Sequence, residues 1–101
     1  MQFPKIEIND DVIISLSKKY HIKELAFFGS VLREDFNENS DIDILIEFID
    51  INEYSLFDIF KMKADFEMVF GKSVDLIEKK SLRNPYKREN ILKNAQVVYA
   101  A

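Results

Sequence analysis

The 101 residues contain no cysteine and no tryptophan, only two glycines and two prolines, and one histidine. Without cysteine there is no disulfide and no thiolate metal site, and a reducing, cytoplasmic setting is the expectation. The single His21 excludes a histidine-rich metal cluster, and its place after Lys18-Lys19-Tyr20 reads as a surface turn. No apolar run approaches the length that spans a bilayer, so no membrane partner is expected. The first residues lack the basic-then-apolar layout of a signal peptide. The net charge is −4, so the whole chain has no electrostatic footprint for nucleic acid, and direct nucleic-acid binding is not expected.

What is present suffices for one domain over residues 1–101. Nearly half the residues are hydrophobic and nine are Phe, enough for a core. Charge is segregated. Asp35, Glu38, Asp41, Asp43, Glu47, Asp50, Glu53 and Asp58 make the middle acidic; Lys79, Lys80, Arg83, Lys87, Arg88 and Lys93 make the C-terminal stretch basic. The basic tract is either a solvated helix face or a contact surface for nucleotide phosphates or an acidic partner.

With so few glycines and prolines, each marks a boundary. Asn9 is an N-cap, followed by Asp10 and Asp11 in a first turn and by Val12, Ile13, Leu16 and Tyr20 at helical spacing. Leu25–Phe28 is a short buried strand ending at Gly29-Ser30, and Val31–Asp35 reads as a helical turn. Ile42, Ile44, Ile46 and Phe48 alternate with Asp43, Leu45 and Glu47, which predicts a strand with one apolar face. Ser55 and Asp58 form a capping box for a helix carrying Leu56, Ile59, Phe60, Phe66, Val69 and Phe70 and stopping at Gly71. Its aromatic stripe is either a partner groove or a face that packs on a sheet, and packing on a sheet is the expectation. Val74–Ile77 is a third strand, Asn84-Pro85 opens a helix with Ile91 and Leu92, and Val97–Tyr99 is a terminal strand or extended tail. The alternation implies an α/β (α+β) fold: a small mixed sheet flanked by helices.

Three carboxylates carry the chemistry. Asp41 and Asp43 are two apart on one strand and so share a face, where like charges repel. A divalent cation removes that repulsion, and Mg²⁺ favours a few carboxylates together with phosphate oxygens. Asp75 interrupts an aliphatic run; it is either a water-facing edge residue, or one paired with Lys72, or a third metal-facing carboxylate from an adjacent strand. Three carboxylates can hold two Mg²⁺ ions, one at an attacking hydroxyl and one at the triphosphate, with Asp75 helping to take the hydroxyl proton. Gly29 permits a sharp turn, and Ser30 with the amides after it opens a helix that suits phosphate. Arg33, one helical turn on, either reaches the phosphates or pairs with Glu34 or another local acid.

Gly29-Ser30-x10-Asp41-x-Asp43 followed by Asp75 resembles the nucleotidyltransferase signature of the DNA polymerase β superfamily. The stretches Phe27–Asp35 and Ser40–Ile46, the Arg88-Glu89-Asn90-Ile91 element and the terminal Tyr99 resemble its smallest members, the minimal nucleotidyltransferases (MNT). The resemblance implies Gly29 and Ser30 at the triphosphate and Asp41, Asp43 and Asp75 on Mg²⁺. It further implies an antitoxin that transfers AMP from ATP to a tyrosine hydroxyl of a HEPN-domain RNase toxin. Two other readings stand beside it: a non-catalytic antitoxin acting by contact, and an adenylyltransferase for a small molecule such as an antibiotic. The short chain leaves no visible second substrate domain, which favours an acceptor that brings its own surface. Exposed apolar residues near Phe57, Met62, Met68 or Phe70 would belong to such a surface if they are not core.

Overall fold

A computed structural model describes residues 2–50 and 55–101 of the chain. Glu53, counted in the acidic stretch, lies outside the described residues.

Asn9 accepts a hydrogen bond from the Asp11 amide (2.8 Å) and starts helix α1, Asp10–Lys19. Strand β1 (Ile22–Phe28) follows through a turn at His21, which is exposed and left-handed at φ 54°. A four-residue 3-10 turn, Gly29–Leu32, and a loop lead to β2, Ile42–Phe48. The Ser55/Asp58 capping box opens α2 (Leu56–Phe70), and Gly71, left-handed at φ 66°, closes it. Then come β3 (Val74–Glu78), a short 3-10 turn at Lys79–Ser81, α3 (Pro85–Asn94) capped by Asn84, and β4 (Gln96–Ala100).

The four strands form one mixed sheet in the order β3-β2-β1-β4. The β1 strand runs antiparallel to both β2 and β4, and β2 runs parallel to β3. One face carries Leu25, Phe27, Ile42, Ile44 and Ile46 against Ile13 of α1 and Met62 and Phe66 of α2, all with almost no exposed surface. Each such fully buried large side chain contributes about 2–3 kcal/mol. Phe3 closes this core edge-on to Phe27, with ring centres 5.2 Å apart. Tyr20 and Lys19 hydrogen-bond to Asp65, which ties α1 to α2.

Two expectations need correction. The β2 strand is not apolar on one face only: Leu45 is buried on the opposite face with Ala26 and Leu82, beneath Ile91 and Leu92 of α3. Helices therefore cover both faces, and strand alternation alone does not reveal the second layer. The α2 stripe is also narrower than its sequence. Ile59, Met62, Phe66 and Phe70 turn inward, while Leu56, Phe60 and Val69 are exposed, as are Phe57 and Met68. Phe60 is rotated about 100° from Ile59, beyond the line that meets the sheet.

A Cβ added at Gly71 would meet no atom within 4 Å, so only its left-handed backbone opposes a side chain. Gly71→Ala is expected to cost about 1 kcal/mol in urea unfolding. Activity should stay unchanged.

Candidate active site

The register of the sheet lines up one row of side chains at its end. Phe28 of β1 pairs with Asp43 of β2, and Asp43 pairs with Asp75 of β3. Paired residues share a face, so this row stands on the α3 side, next to the row of Ala26, Leu45 and Ile77. Asp41 immediately precedes β2 and is exposed, as is Asp75; Asp43 is half-buried.

Burial pushes the Asp43 carboxyl above its ordinary value, and the Asp75 and Asp41 charges push it further; the Arg33 guanidinium and a Ser30 backbone hydrogen bond pull it back. Among the described residues, none of the three carboxylates has an ion-pair partner within 4 Å. Lys72 is not the partner of Asp75: its ammonium donates to the Asn37 carbonyl (3.3 Å) and lies over the Phe36 ring.

Gly29 sits directly against Asp43. Its φ is +74°, and a Cβ there would overlap the Asp43 Oδ2 and lie 3.2 Å from Cγ. Only glycine lets this turn and this carboxylate occupy neighbouring space. The Ser30 hydroxyl donates to the Asp41 carbonyl (3.2 Å), clipping the turn to the start of β2. Sequence reading assigned that hydroxyl to phosphate and missed its bond to Asp41, which has no local signal.

The helical turn stops sooner than expected. The Arg33 amide closes the 3-10 turn onto the Ser30 carbonyl (3.0 Å), and Arg33 itself is extended at φ −114°, ψ 159°. It therefore does not stand one helical turn above Ser30. Its Nε donates to Asp35 (3.1 Å), the local-acid reading, although its charge is still felt at Asp43. A turn of four residues has no appreciable macrodipole, so anion attraction there depends on individual amides and the hydroxyl.

Other side chains hold the row in place. The Glu67 carboxylate of α2 accepts from the Val74 amide (2.9 Å), and the Ile42 amide donates to the Ser73 carbonyl (2.9 Å), fixing β2 and β3 beside Asp43 and Asp75. The basic tract is partly spent inside the fold. Lys79 reaches Glu24 (3.8 Å) and Glu47 (3.6 Å), and Arg88 donates to the Lys79 and Leu82 carbonyls. A cavity of about 420 Å³ opens beside the turn, between Phe28, Gly29, Leu32 and Arg33 on one side and α3 on the other.

The donors of the row are all carboxylate oxygens, the chemistry of a hard cation. Among the described residues, no three acidic or histidine side chains are gathered into a ready metal cage. The unbalanced charge around Asp43 is what a divalent cation fits, with further oxygens supplied by water or ligand.

Residues 10–98 match the family model described as the nucleotidyltransferase domain. The chain belongs to that family and is an enzyme that transfers nucleotides. Within it, the chain groups with the minimal, MntA-like members. It is 42% identical over 76 residues to a candidate protein adenylyltransferase of Methanocaldococcus jannaschii, spanning 75% of this chain and 76% of that one. It is 35% identical over 69 residues to the protein adenylyltransferase MntA of Thermococcus cleftensis, spanning 68% of each. A solved candidate minimal nucleotidyltransferase is 30% identical, with a TM-score of 0.72 and 86% of both chains covered. Two toxin–antitoxin crystal structures share the fold. One, with AMP-PNP, gives TM-score 0.75 at 19% identity, covering 93% of this chain and 75% of the other. The other, a tri-AMPylated Shewanella oneidensis HEPN toxin with its MNT antitoxin, gives 0.65 at 17%, covering 91% and 70%. No helix among the described residues is long and apolar enough to cross a membrane.

Proposed function

We propose that the chain transfers AMP from ATP, with Mg²⁺, to a tyrosine hydroxyl of a HEPN-domain toxin and so acts as its antitoxin. The observation that carries this reading is the packing of the Gly29 backbone against Asp43, in one row with Asp75. It sets a close-approach turn beside unpaired carboxylates. Asp41, Asp43 and Asp75 would hold Mg²⁺, which when bound would acidify the acceptor hydroxyl and screen the polyphosphate. Gly29 admits the polyphosphate to the turn. The Ser30 hydroxyl would donate to it on leaving the Asp41 carbonyl, and Arg33 would add positive charge on leaving Asp35. The tyrosine oxygen attacks the α-phosphorus, the bond to the bridging oxygen breaks, and pyrophosphate leaves with the electron pair. The hydroxyl proton passes to Asp75, which is exposed at the open edge of the row.

Support for a protein acceptor comes from relatives named protein adenylyltransferases and from a fold neighbour in complex with a tri-AMPylated toxin. Exposed Leu56, Phe57, Phe60 and Met68 on α2 supply apolar area for such a partner, whereas Met62 is fully buried and Phe70 packs on Phe66. The test is to incubate the protein with its HEPN partner, Mg²⁺ and ATP and weigh the partner. An AMP-sized increment, absent with Asp41→Ala/Asp43→Ala, is the expected result. Full neutralisation by that double variant without ATP would instead establish inhibition by contact.

A further inference from the structure

The cavity beside the turn shares Gly29 and Arg33 with the phosphate end, but the rest of its lining is used by neither phosphate nor carboxylates. Beyond Gly29 and Arg33 at the turn, its walls are apolar: Phe28 and Leu32 on one side and Ile91 on the other. Its rim carries Asn90 and Asn94, four apart and therefore on one face of α3. Asn94 Nδ2 donates to the Asn90 backbone carbonyl (2.9 Å) and to Asn90 Oδ1 (3.1 Å). A backbone carbonyl only accepts, so the first bond fixes which end of the Asn94 amide is nitrogen. The second bond then fixes Asn90. Asn90 Nδ2, a donor, and Asn94 Oδ1, an acceptor, are left with no partner among the described residues.

We propose that this cavity is the base pocket of the nucleotide site and that the Asn90–Asn94 amide pair selects adenine. This rests on the nucleotidyltransfer reading above. A volume of about 420 Å³ lies in the range of small-ligand sites, and apolar walls with a few polar groups are the usual lining. Gly29 belongs both to the cavity wall and to the turn against Asp43, so a nucleoside seated here would carry its phosphates towards the carboxylate row. Adenine presents an acceptor, N1, beside a donor, N6, which complements the free donor and acceptor of the pair. Guanine presents the same two functions in reversed order. In the glycosidic orientation that sets N1 and N6 of adenine on the pair, guanine would face donor with donor and acceptor with acceptor.

Calorimetry on the full chain with Mg²⁺ tests the assignment, using ATP, GTP and inorganic tripolyphosphate as probes. The wild type is expected to favour ATP over GTP by about tenfold, the scale of one amide–adenine bidentate contact. Asn90→Asp and Asn94→Ala should bring ATP to the GTP level without changing tripolyphosphate affinity. Both sites are exposed on α3, so these variants keep the fold, which thermal melts will verify. Leu32→Trp fills the cavity and should remove ATP binding while tripolyphosphate still binds. Retained ATP preference in both Asn variants would overturn the proposal. So would normal ATP binding by Leu32→Trp with only transfer to the protein acceptor slowed, which would make the cavity a seat for the acceptor's aromatic ring. Failure of the wild type to bind tripolyphosphate would instead defeat the phosphate-site reading itself, and this assignment with it.

Discussion

Asp43→Asn is expected to abolish AMP transfer, by about a thousandfold or more, and yet to make the ligand-free protein more stable at neutral pH. Both effects follow from one feature. Asp43 is half-buried next to two other carboxylates, and its carboxyl is held above the ordinary value by burial first and by Asp75 and Asp41 second. A carboxyl whose folded pKa is raised leaves stability intact below the unfolded value. That stability is lost as pH rises through the folded value. The neutral amide avoids the loss. Solvent reaches the site, so the gain is limited to about 1 kcal/mol, or roughly 4–8 °C in melting temperature for a domain of this size. The advantage should be present at pH 7 and fade as pH falls through the raised value of Asp43. Adding Mg²⁺ and ATP should stabilise the wild type and leave Asp43→Asn unmoved. Melting curves across pH, with and without Mg²⁺-ATP, measure all of this. A variant less stable than wild type at pH 7 would mean that Asp43 supports the fold rather than straining it.

Gly29→Ala should be the second severe substitution. A side chain there must adopt φ +74° and displace the Asp43 carboxylate, because the new Cβ would overlap Oδ2. The left-handed backbone costs about 1–2 kcal/mol and the displacement adds about as much again. Misplacing a reacting group by an ångström can lower the rate about a hundredfold, and that loss of transfer is expected here. Gly71 is the built-in control, with φ +66° and open space around it. The difference between Gly29→Ala and Gly71→Ala isolates the contact with Asp43. In an Asp43→Ala background the overlap disappears, and the cost of Gly29→Ala should fall to that of Gly71→Ala. Equal costs in both backgrounds would show that the backbone alone requires glycine.

Much of this architecture is legible locally, and what is not legible depends on distant partners. The Asn9 and Asn84 caps, the Ser55/Asp58 box and the Gly71 stop lie within a few residues of the ends they set, and each forms as read. Strand limits are less visible. The β1 strand begins at Ile22 rather than Leu25 because Ile22 pairs with Phe48 of β2 and Glu24, polar in sequence, pairs with Glu47 of β2 and Ala100 of β4, with Lys23 at a register shift between them. The β4 strand takes Gln96 to Ala100 for the same reason. The N-terminal segment gives no signal that Phe3 and Ile8 enter the core. The second buried face becomes apparent only once α3 is placed over Leu45.

At the site, Asp41 and Asp43 are close in sequence, so their shared neighbourhood follows from spacing alone. The pairing of Asp43 with Asp75 is a matter of parallel register across 32 positions, and only the motif as a whole points to it. The shortened turn at Arg33 and the Asn90–Asn94 amide pair are invisible to pattern. One depends on a 3-10 bond closing at Ser30, the other on two side chains that meet a cavity contributed by another element.

The most direct measurement of the central claim is a calorimetric titration of ATP into the wild type and Asp43→Asn, with Mg²⁺ and with the metal chelated. A carboxylate row that holds a cation against a polyphosphate predicts saturable binding by the wild type that weakens sharply on chelation, and no Mg²⁺ effect in the variant. Equal ATP binding in all four titrations, or none in any, would contradict it.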